Sequence, residues 1–373
     1  MTVPLLIDGT AVPERLGGVG RYLEGLVAGL HELGAPFALV VRRGHVEHFR
    51  AIAPSARITV APDWIRSRPL RFVWEQFGLP LLRLRAGARV LHSPHYTFPL
   101  LAHRTVVTLH DATFFTDPGA HVPLKRWFFR AWTRAALARR RVCLVPSAAT
   151  ADALRAHVRP VRAELAVAHH GVDRRVFHEP SDADVAAAAA EVGVDRGRGW
   201  IAFLGTIEPR KNVGPLVEAH RRLRREHPDA PDLVVAGQRG WDPVAAAALD
   251  AVGPQDGVHE VGYLPVETLP GLLGGATVVA YPSSAEGFGL PVLEAMATGA
   301  CVLTTDRTAL PEVGGDAVAY TEPDAAAIAE ALRSLLADPD RRDALGTAAV
   351  TRAAGFTWAA TARAHLDAFR SAR

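Results

Sequence analysis

The sequence is poor in thiols, in long apolar runs and in anything resembling a leader. Cysteine occurs twice in 373 residues, at Cys143 and Cys301. Both sit in apolar, strand-like runs, which excludes a disulfide framework and predicts reduced, buried thiols. No window reaches the ~18 uninterrupted apolar residues of a membrane span. The N-terminal MTVPLLIDGT has no basic stretch ahead of an apolar one, so it does not read as a signal peptide. No zinc-finger spacing and no basic motif interleaved with aromatics occurs, which argues against nucleic acid as a partner. These absences together predict a cytoplasmic protein.

What is present fits a globular chain, with 49% hydrophobic and 22% charged residues. Its length exceeds one ordinary hydrophobic core, so two domains are expected. The formal charge is +3, carried mostly by arginine. Arg139-Arg140-Arg141 and Arg221 to Arg225 form local basic clusters. They read as solvated helix faces, with peripheral contact to an anionic membrane or an anionic substrate as the sharper alternative.

Short apolar runs alternate with helical periods. Strands are predicted at Pro4–Ile7, Phe37–Val41, Arg57–Val60, Val90–His92, Thr105–Leu109 and Val142–Pro146. A second series follows at Trp200–Leu204, Asp232–Ala236, Val258–Val261, Thr277–Tyr281, Cys301–Thr304 and Ala317–Tyr320. Helical patterns between them include Tyr22–Glu32, Leu124–Ala138, Val213–Arg225 and Ala325–Leu336. Continuous Val/Leu/Ile runs separated by helices predict parallel, doubly wound sheets. The expected division is an N-terminal domain over 1–172, a linker with one short helix over 173–198, a C-terminal domain over 199–355, and a final helix in 356–373 that returns to the N-terminal domain. The two halves echo each other, LLIDGT…PERLGGVGRYLEGL against IAFLGT…EPRKNVGPLVEAH. Ligands of such sheets bind at the carboxyl ends of the strands, so a cleft between the domains is expected.

The chemistry concentrates in YPSSAEGFGLPVLEAMATGAC, residues 281–301. Glycines ahead of a helix expose backbone N–H groups to an anion, which the helix dipole also favours. Glu286 precedes those glycines and Glu294 follows on the helix. This arrangement suits a phosphate flanked by polyhydroxylated groups, as in a nucleotide sugar. Arg210-Lys211 lies just before Asn212, an expected N-cap, and supplies two cations for a diphosphate. Gly17-Gly18-Val19-Gly20 lacks the third glycine of the dinucleotide fingerprint, and Gly205-Thr-Ile-Glu-Pro-Arg-Lys-Asn lacks the ending of a P-loop. His110 closes a strand and would face the crevice, either as a sugar ligand or as a structural histidine paired with Asp111. Asp182-Ala183-Asp184 spells a metal-binding Asp-x-Asp but has no strand context. His92/His95 and His169-His170 have no partner at metal-ligand spacing. Trp74–Leu84, flanked by Arg71, Arg83 and Arg85, is read as an apolar helix packed into the core, with membrane docking as the alternative.

In order along the chain, WEQFGLP, VLHSPHYTFPL, VVTLHDATFF, GTIEPRKN, AGQRGW, GYLP, YPSSAEGFGLPVLEAMATGA and LPEVGGDA resemble the retaining glycosyltransferases of family 4, which have the GT-B fold. Glu286…Glu294 matches that family's Glu-x7-Glu signature. The flavour is that of bacterial mannosyltransferases. The resemblance implies a nucleotide-sugar donor, no metal and no other cofactor. It implies that Glu294 binds the ribose and that Glu286 contacts the donor sugar. Gly287, Phe288, Gly289 and Leu290 would hold sugar and β-phosphate, and Arg210 and Lys211 would neutralise the diphosphate. Gly17, Gly18 and Gly205 would give the phosphates room, Tyr263-Leu264 would lie by the base, and His110 near the reacting carbon. His110, Arg210, Lys211 and Glu286 are then the catalytic set. GDP-mannose is the first expectation for the donor and a UDP-sugar the second, with a sugar, lipid-linked or small-molecule acceptor. A nucleotide-sugar hydrolase or epimerase, or a non-catalytic binding subunit, are the alternatives. The family's hinge Asn-Gly-Val-Asp stands here as His170-Gly171-Val172-Asp173, read as a tolerated variant.

Overall fold

The computed structural model describes residues 5–12 and 17–372. Pro4 of the first expected strand and residues 13–16 of the loop after it lie outside them. The chain divides into two compact units, one up to Gly171 and again from Phe356, the other Val172–Gly355.

The first unit is built on seven strands: β1 Leu5–Asp8, β2 Ala38–Val41, β3 Arg57–Val60, β4 Val90–Ser93, β5 Thr105–Thr108, β6 Val142–Val145 and β7 Glu164–Val167. They lie in the order β3-β2-β1-β4-β5-β6-β7, all parallel. Side chains alternate between two cores. Leu5, Ile7, Leu39 and Val41 join one, with the helix Gly18–Glu32. Leu6, Ala38, Val40 and Leu91 join the other. Burial on both faces is why these strands read as unbroken apolar runs. The two edge strands are the exceptions: β3 has Arg57 and Val60 exposed, and β7, absent from the expected strands, has Glu164 and Val167 exposed.

The last helix, Trp358–Ser371, belongs to this unit and packs through Ala362, Ala368 and Phe369 into the core beside Leu26 and Leu30. The approach is backbone-close. A Cβ on Gly25 would fall 1.9 Å from the Trp358 ring, and one on Gly29 would fall 2.2 Å from the Trp358 carbonyl oxygen. No residue with a side chain fits there. The hinge variant also has a packing role, since His170 is buried and stacks on Trp358 with ring centroids 5.9 Å apart.

The second unit has six parallel strands: β8 Trp200–Leu204, β9 Asp232–Ala236, β10 Val258–Gly262, β11 Val278–Tyr281, β12 Val302–Thr304 and β13 Ala319–Tyr320. Their order is β10-β9-β8-β11-β12-β13. In both sheets the order reverses beside the first strand, as in doubly wound folds. The stretch 173–198 is counted with this unit. Its helix Asp182–Val192 lies against Leu269–Gly274, where a Cβ on Gly271 would meet the Asp184 carbonyl oxygen at 2.3 Å. Asp184 closes a capping box with Ser181, which accounts for the Asp-x-Asp spelling.

Trp74–Leu84 departs from the expected packed helix. Three short helical pieces, Arg68–Val73, Trp74–Gly78 and Leu79–Arg85, run end to end. Leu79 is buried, but Phe77 is 72% and Leu84 67% exposed. Among the described residues no helix is long and apolar enough to cross a membrane.

Candidate active site

Because the second sheet is parallel, the loops after β8, β9, β10, β11 and β12 gather at one edge. The loop after β8 turns through Pro209–Lys211 and leaves Asn212 left-handed, at φ 54°. Asn212 stands at the N-cap position of Val213–Glu226, yet its side chain makes no cap bond. Its amide donates instead to the carbonyls of Arg210 (3.3 Å) and Pro282 (2.8 Å). A left-handed backbone aims the side chain away from the helix start, so the residue fastens the β8 loop to the β11 loop. The Arg210 carbonyl accepts from Ser284 N at 2.8 Å and Ser284 Oγ at 3.2 Å, which adds to the same seam.

This seam brings Arg210, Lys211 and Glu286 together. Glu286 Oε1 lies 2.7 Å from Arg210 Nη1 and also accepts from Lys211 Nζ. Tyr281 Oη (3.0 Å) and Ser283 Oγ (2.7 Å) donate to the same oxygen. Lys211 Nζ donates to Tyr281 Oη as well. Arg210 Nε reaches Glu208 at 3.1 Å, and its Nη1 donates to the Ala285 carbonyl at 2.8 Å. Burial alone would raise the Glu286 carboxyl, but Arg210 and Lys211 outweigh it and hold the group at about 2. Burial and then the Arg210 charge bring Lys211 down to about 8, against the pull of Glu286. Arg210, though buried, is pushed above its ordinary range by Glu286 and Glu208. Lys211 is one of two lysines in a chain whose cations are otherwise arginines, and it is 5% exposed.

The loop then runs through Gly287 and Phe288 to Gly289, the N-cap of Leu290–Ala297. Gly289 has φ +102° and a Cβ there would press on Leu310, so glycine is required. The Glu286 N–H donates to Thr308 Oγ1 at 2.8 Å, which ties the β12 loop to the cluster. Glu294 is buried on the helix. Gly205 follows β8, and Tyr263 and Leu264 follow β10, at the same edge of the sheet, with Tyr263 exposed. The arrangement offers a helix start and two cations to an anion, beside an ionised carboxylate for hydroxyl groups. Sequence reasoning missed Glu208, Tyr281, Ser283 and Thr308 as members of this cluster. Two of them stand in the YPSS run just ahead of Glu286, a visible signal.

The remaining predicted residues belong to the first unit. Gly17 is the N-cap of Gly18–Glu32, and the helix carries Tyr22 edge-on to His110, ring centroids 4.9 Å apart. His110 Nε2 lies 2.6 Å from the Pro94 carbonyl oxygen. A carbonyl only accepts, so Nε2 carries the proton and Nδ1 is left as an acceptor. Burial, partly offset by that carbonyl and by Asp111, keeps the ring below the ordinary histidine range and so neutral. The expected Asp111 pairing is not what holds it. Asp111 Oδ1 accepts instead from Thr113 N (2.9 Å) and Oγ1 (2.6 Å). His92 also serves a structural bond, to Thr108 Oγ1 at 2.9 Å.

Comparison with known proteins agrees along the chain. Residues 16–176 match the family described as Glycosyltransferase Family 4, and residues 184–352 match Glycosyl transferases group 1. The chain is 29% identical over 288 residues to O-antigen chain mannosyltransferase B of Escherichia coli, covering 75% of this chain and 74% of that one. Among solved structures, sucrose-phosphate synthase from Thermosynechococcus elongatus superposes with a TM-score of 0.75 at 20% identity, covering 98% of each chain. Anabaena HepE in complex with UDP-glucose gives a TM-score of 0.75 at 15% identity, covering 98% of this chain and 99% of that one. The chain is a glycosyltransferase, a member of family 4 with the GT-B fold.

Proposed function

We propose that the protein is a retaining enzyme that moves a hexose from a nucleotide-diphosphate sugar to a hydroxyl of its acceptor, without a metal. The observation that carries this reading is the Arg210–Lys211–Glu286 cluster set beside the Gly289 helix start. The anomeric carbon loses its bond to the β-phosphate oxygen, and negative charge grows on that oxygen. Preorganised cations and helix N–H groups stabilise such charge in place of a divalent ion. The acceptor oxygen bonds to the same face of the anomeric carbon, and its proton passes to the departing phosphate. Glu286 takes donor-sugar hydroxyls and Glu294 the ribose. The same reading carries donor-binding roles for Gly205, Tyr263 and Leu264, and for Gly17, Gly18 and His110 in the first unit. Buried free thiols at Cys143 and Cys301 support a cytoplasmic setting.

GDP-mannose is the first choice of donor, supported by the likeness to a mannosyltransferase of Escherichia coli. A UDP-sugar is second, supported by the UDP-glucose held by HepE. Thermal shift against GDP-mannose and UDP-glucose tests the donor, because a bound ligand raises stability by mass action. Product analysis then tests the reaction, with a glycoside of retained anomeric configuration expected in EDTA. Free hexose as sole product would make it a hydrolase, and an inverted glycoside would end the retaining mechanism. Activity lost in EDTA and restored by magnesium would end metal independence.

A further inference from the structure

The first unit carries a surface that donor chemistry does not use. Along the helical stretch Arg68–Arg85, Leu79 and Glu75 turn inward and are buried. Leu70, Val73, Phe77, Leu81 and Leu84 are all exposed, by 45–72%. Their steps of three and four residues set them on one stripe. Trp64, 48% exposed, stands near its start, edge-on to Trp74. Leu101, 85% exposed, lies in a loop fastened to the helix. Leu100 N donates to Gln76 Oε1 at 3.0 Å, and Gln76 Nε2 donates to the Phe98 carbonyl at 3.1 Å. Scattered exposed leucines need no explanation, but an apolar stripe of this length does.

The rim of the stripe is cationic. Arg83 donates to the His103 carbonyl at 3.1 Å, and Arg140 donates to the carbonyls of Leu100 (3.1 Å) and Ala102 (2.6 Å). These bonds join the stripe to a cavity of about 230 Å³ whose lining includes His103, Arg104, Arg139, Arg140 and Arg141. Among the described residues no carboxylate pairs with Arg83, Arg85, Arg104, Arg139, Arg140 or Arg141. Glu75, the carboxylate on the helix itself, is buried against Arg71 at 3.1 Å. The occupant that matches an apolar strip beside unneutralised arginines is apolar within and anionic at its surface. A second copy would set the same patch against itself, arginine facing arginine.

We propose that this face docks the protein peripherally on an anionic membrane, with the stripe entering the headgroup boundary and the arginines on lipid phosphates. The proposal does not depend on the donor or on the mechanism. Co-sedimentation of the full chain with vesicles tests it, phosphatidylglycerol-containing against pure phosphatidylcholine. Sedimentation with the anionic vesicles, weakened by salt, is expected. Arg104→Gln should lower the partition roughly fivefold, the worth of one arginine near such a surface. Phe77→Ser with Leu84→Ser should abolish it, and circular dichroism should be unchanged because both residues are exposed. No sedimentation with anionic vesicles at low salt would overturn the proposal. So would wild-type sedimentation by the folded double variant, or a double variant that changes oligomeric state and not vesicle binding.

Discussion

At the carboxyl edges of the two sheets, polar groups are buried in different ways. In the second unit Glu286 Oε1 gathers two cations and two hydroxyls, and the group is ionised. In the first unit Tyr22, His92, Thr108 and His365 are buried in contact, and burial holds both histidines below their ordinary range. One edge stores charge and the other stores neutral hydrogen bonds. A charged cluster suits a ligand that brings its own charge, since a diphosphate can exchange with Glu286 for the cations. A neutral network suits fixed packing, and here it fastens the last helix.

The largest effect expected from breaking that contrast comes from Glu286→Gln. The change keeps shape and removes charge, leaving Arg210 and Lys211 buried with Glu208 as the remaining carboxylate. Breaking a buried pair from one side costs about 3–5 kcal/mol. The unfolding transition of the second unit, followed in urea, should shift by that amount while the first unit's stays in place. The wild-type contribution has a pH signature. The folded Glu286 carboxyl titrates at about 2, below the 4.5 of a free glutamate. Its stabilisation is therefore complete above the unfolded value and fades as pH falls through that window. A glutamine variant as stable as wild type at neutral pH would mean the carboxylate stores nothing.

Next in size are Arg210→Ala and Lys211→Ala, each expected to cost about 2–4 kcal/mol in kcat/KM, as for other preorganised charge contacts. Lys211 adds a sharper test because it loses its proton near pH 8. In the wild type kcat/KM should fall as pH rises through that value. Lys211→Arg, whose guanidinium stays protonated, should move this alkaline limb upward. A limb that stays in place would belong to another group and would separate Lys211 from catalysis.

The sheets were largely legible because strands buried on both faces are written as unbroken runs, as in Trp200–Leu204 and Asp232–Ala236. β7 was not: like β3 it is an edge strand with two exposed residues, but ELAV has one β-branched residue where RITV has three. Glycines ahead of a helix announced the loop at Glu286, and arginine with lysine announced its partners. The seam between them was illegible. Asn212 reads as a cap from its type and place, and a left-handed backbone overrules that. Thr308 lies 22 residues from Glu286 and meets it only because β11 and β12 are neighbours. The Trp74–Leu84 stretch shows the reverse failure. Its apolar residues promised a core position, but a helical stretch has a face for solvent as well as one for the core, and composition does not say which residues take it.

The smallest effect belongs to the neutral edge, where Tyr22→Phe tests its direction. His365 Nδ1 lies 2.8 Å from the Thr361 carbonyl oxygen, so Nδ1 carries the proton and Nε2 accepts. Tyr22 Oη, 2.7 Å from that Nε2, must therefore donate to it. Thr108 then donates to Tyr22 Oη at 2.9 Å and accepts from His92 Nε2 at 2.9 Å. Every proton in this chain points one way, from His92 toward the last helix. Phenylalanine keeps the ring contacts with His110 and His170 but leaves His365 Nε2 buried without its donor. The cost should be about 1–3 kcal/mol, read as a lower midpoint for the first unit's unfolding. The folded His365 titrates at about 4, below the 6.5 of a free histidine. Both proteins hold it neutral near neutral pH, so the difference between them should stay flat across ~pH 6 to 8. A difference that grows with acidity in that range would mean a charged histidine at this edge, and the two edges would then store charge alike.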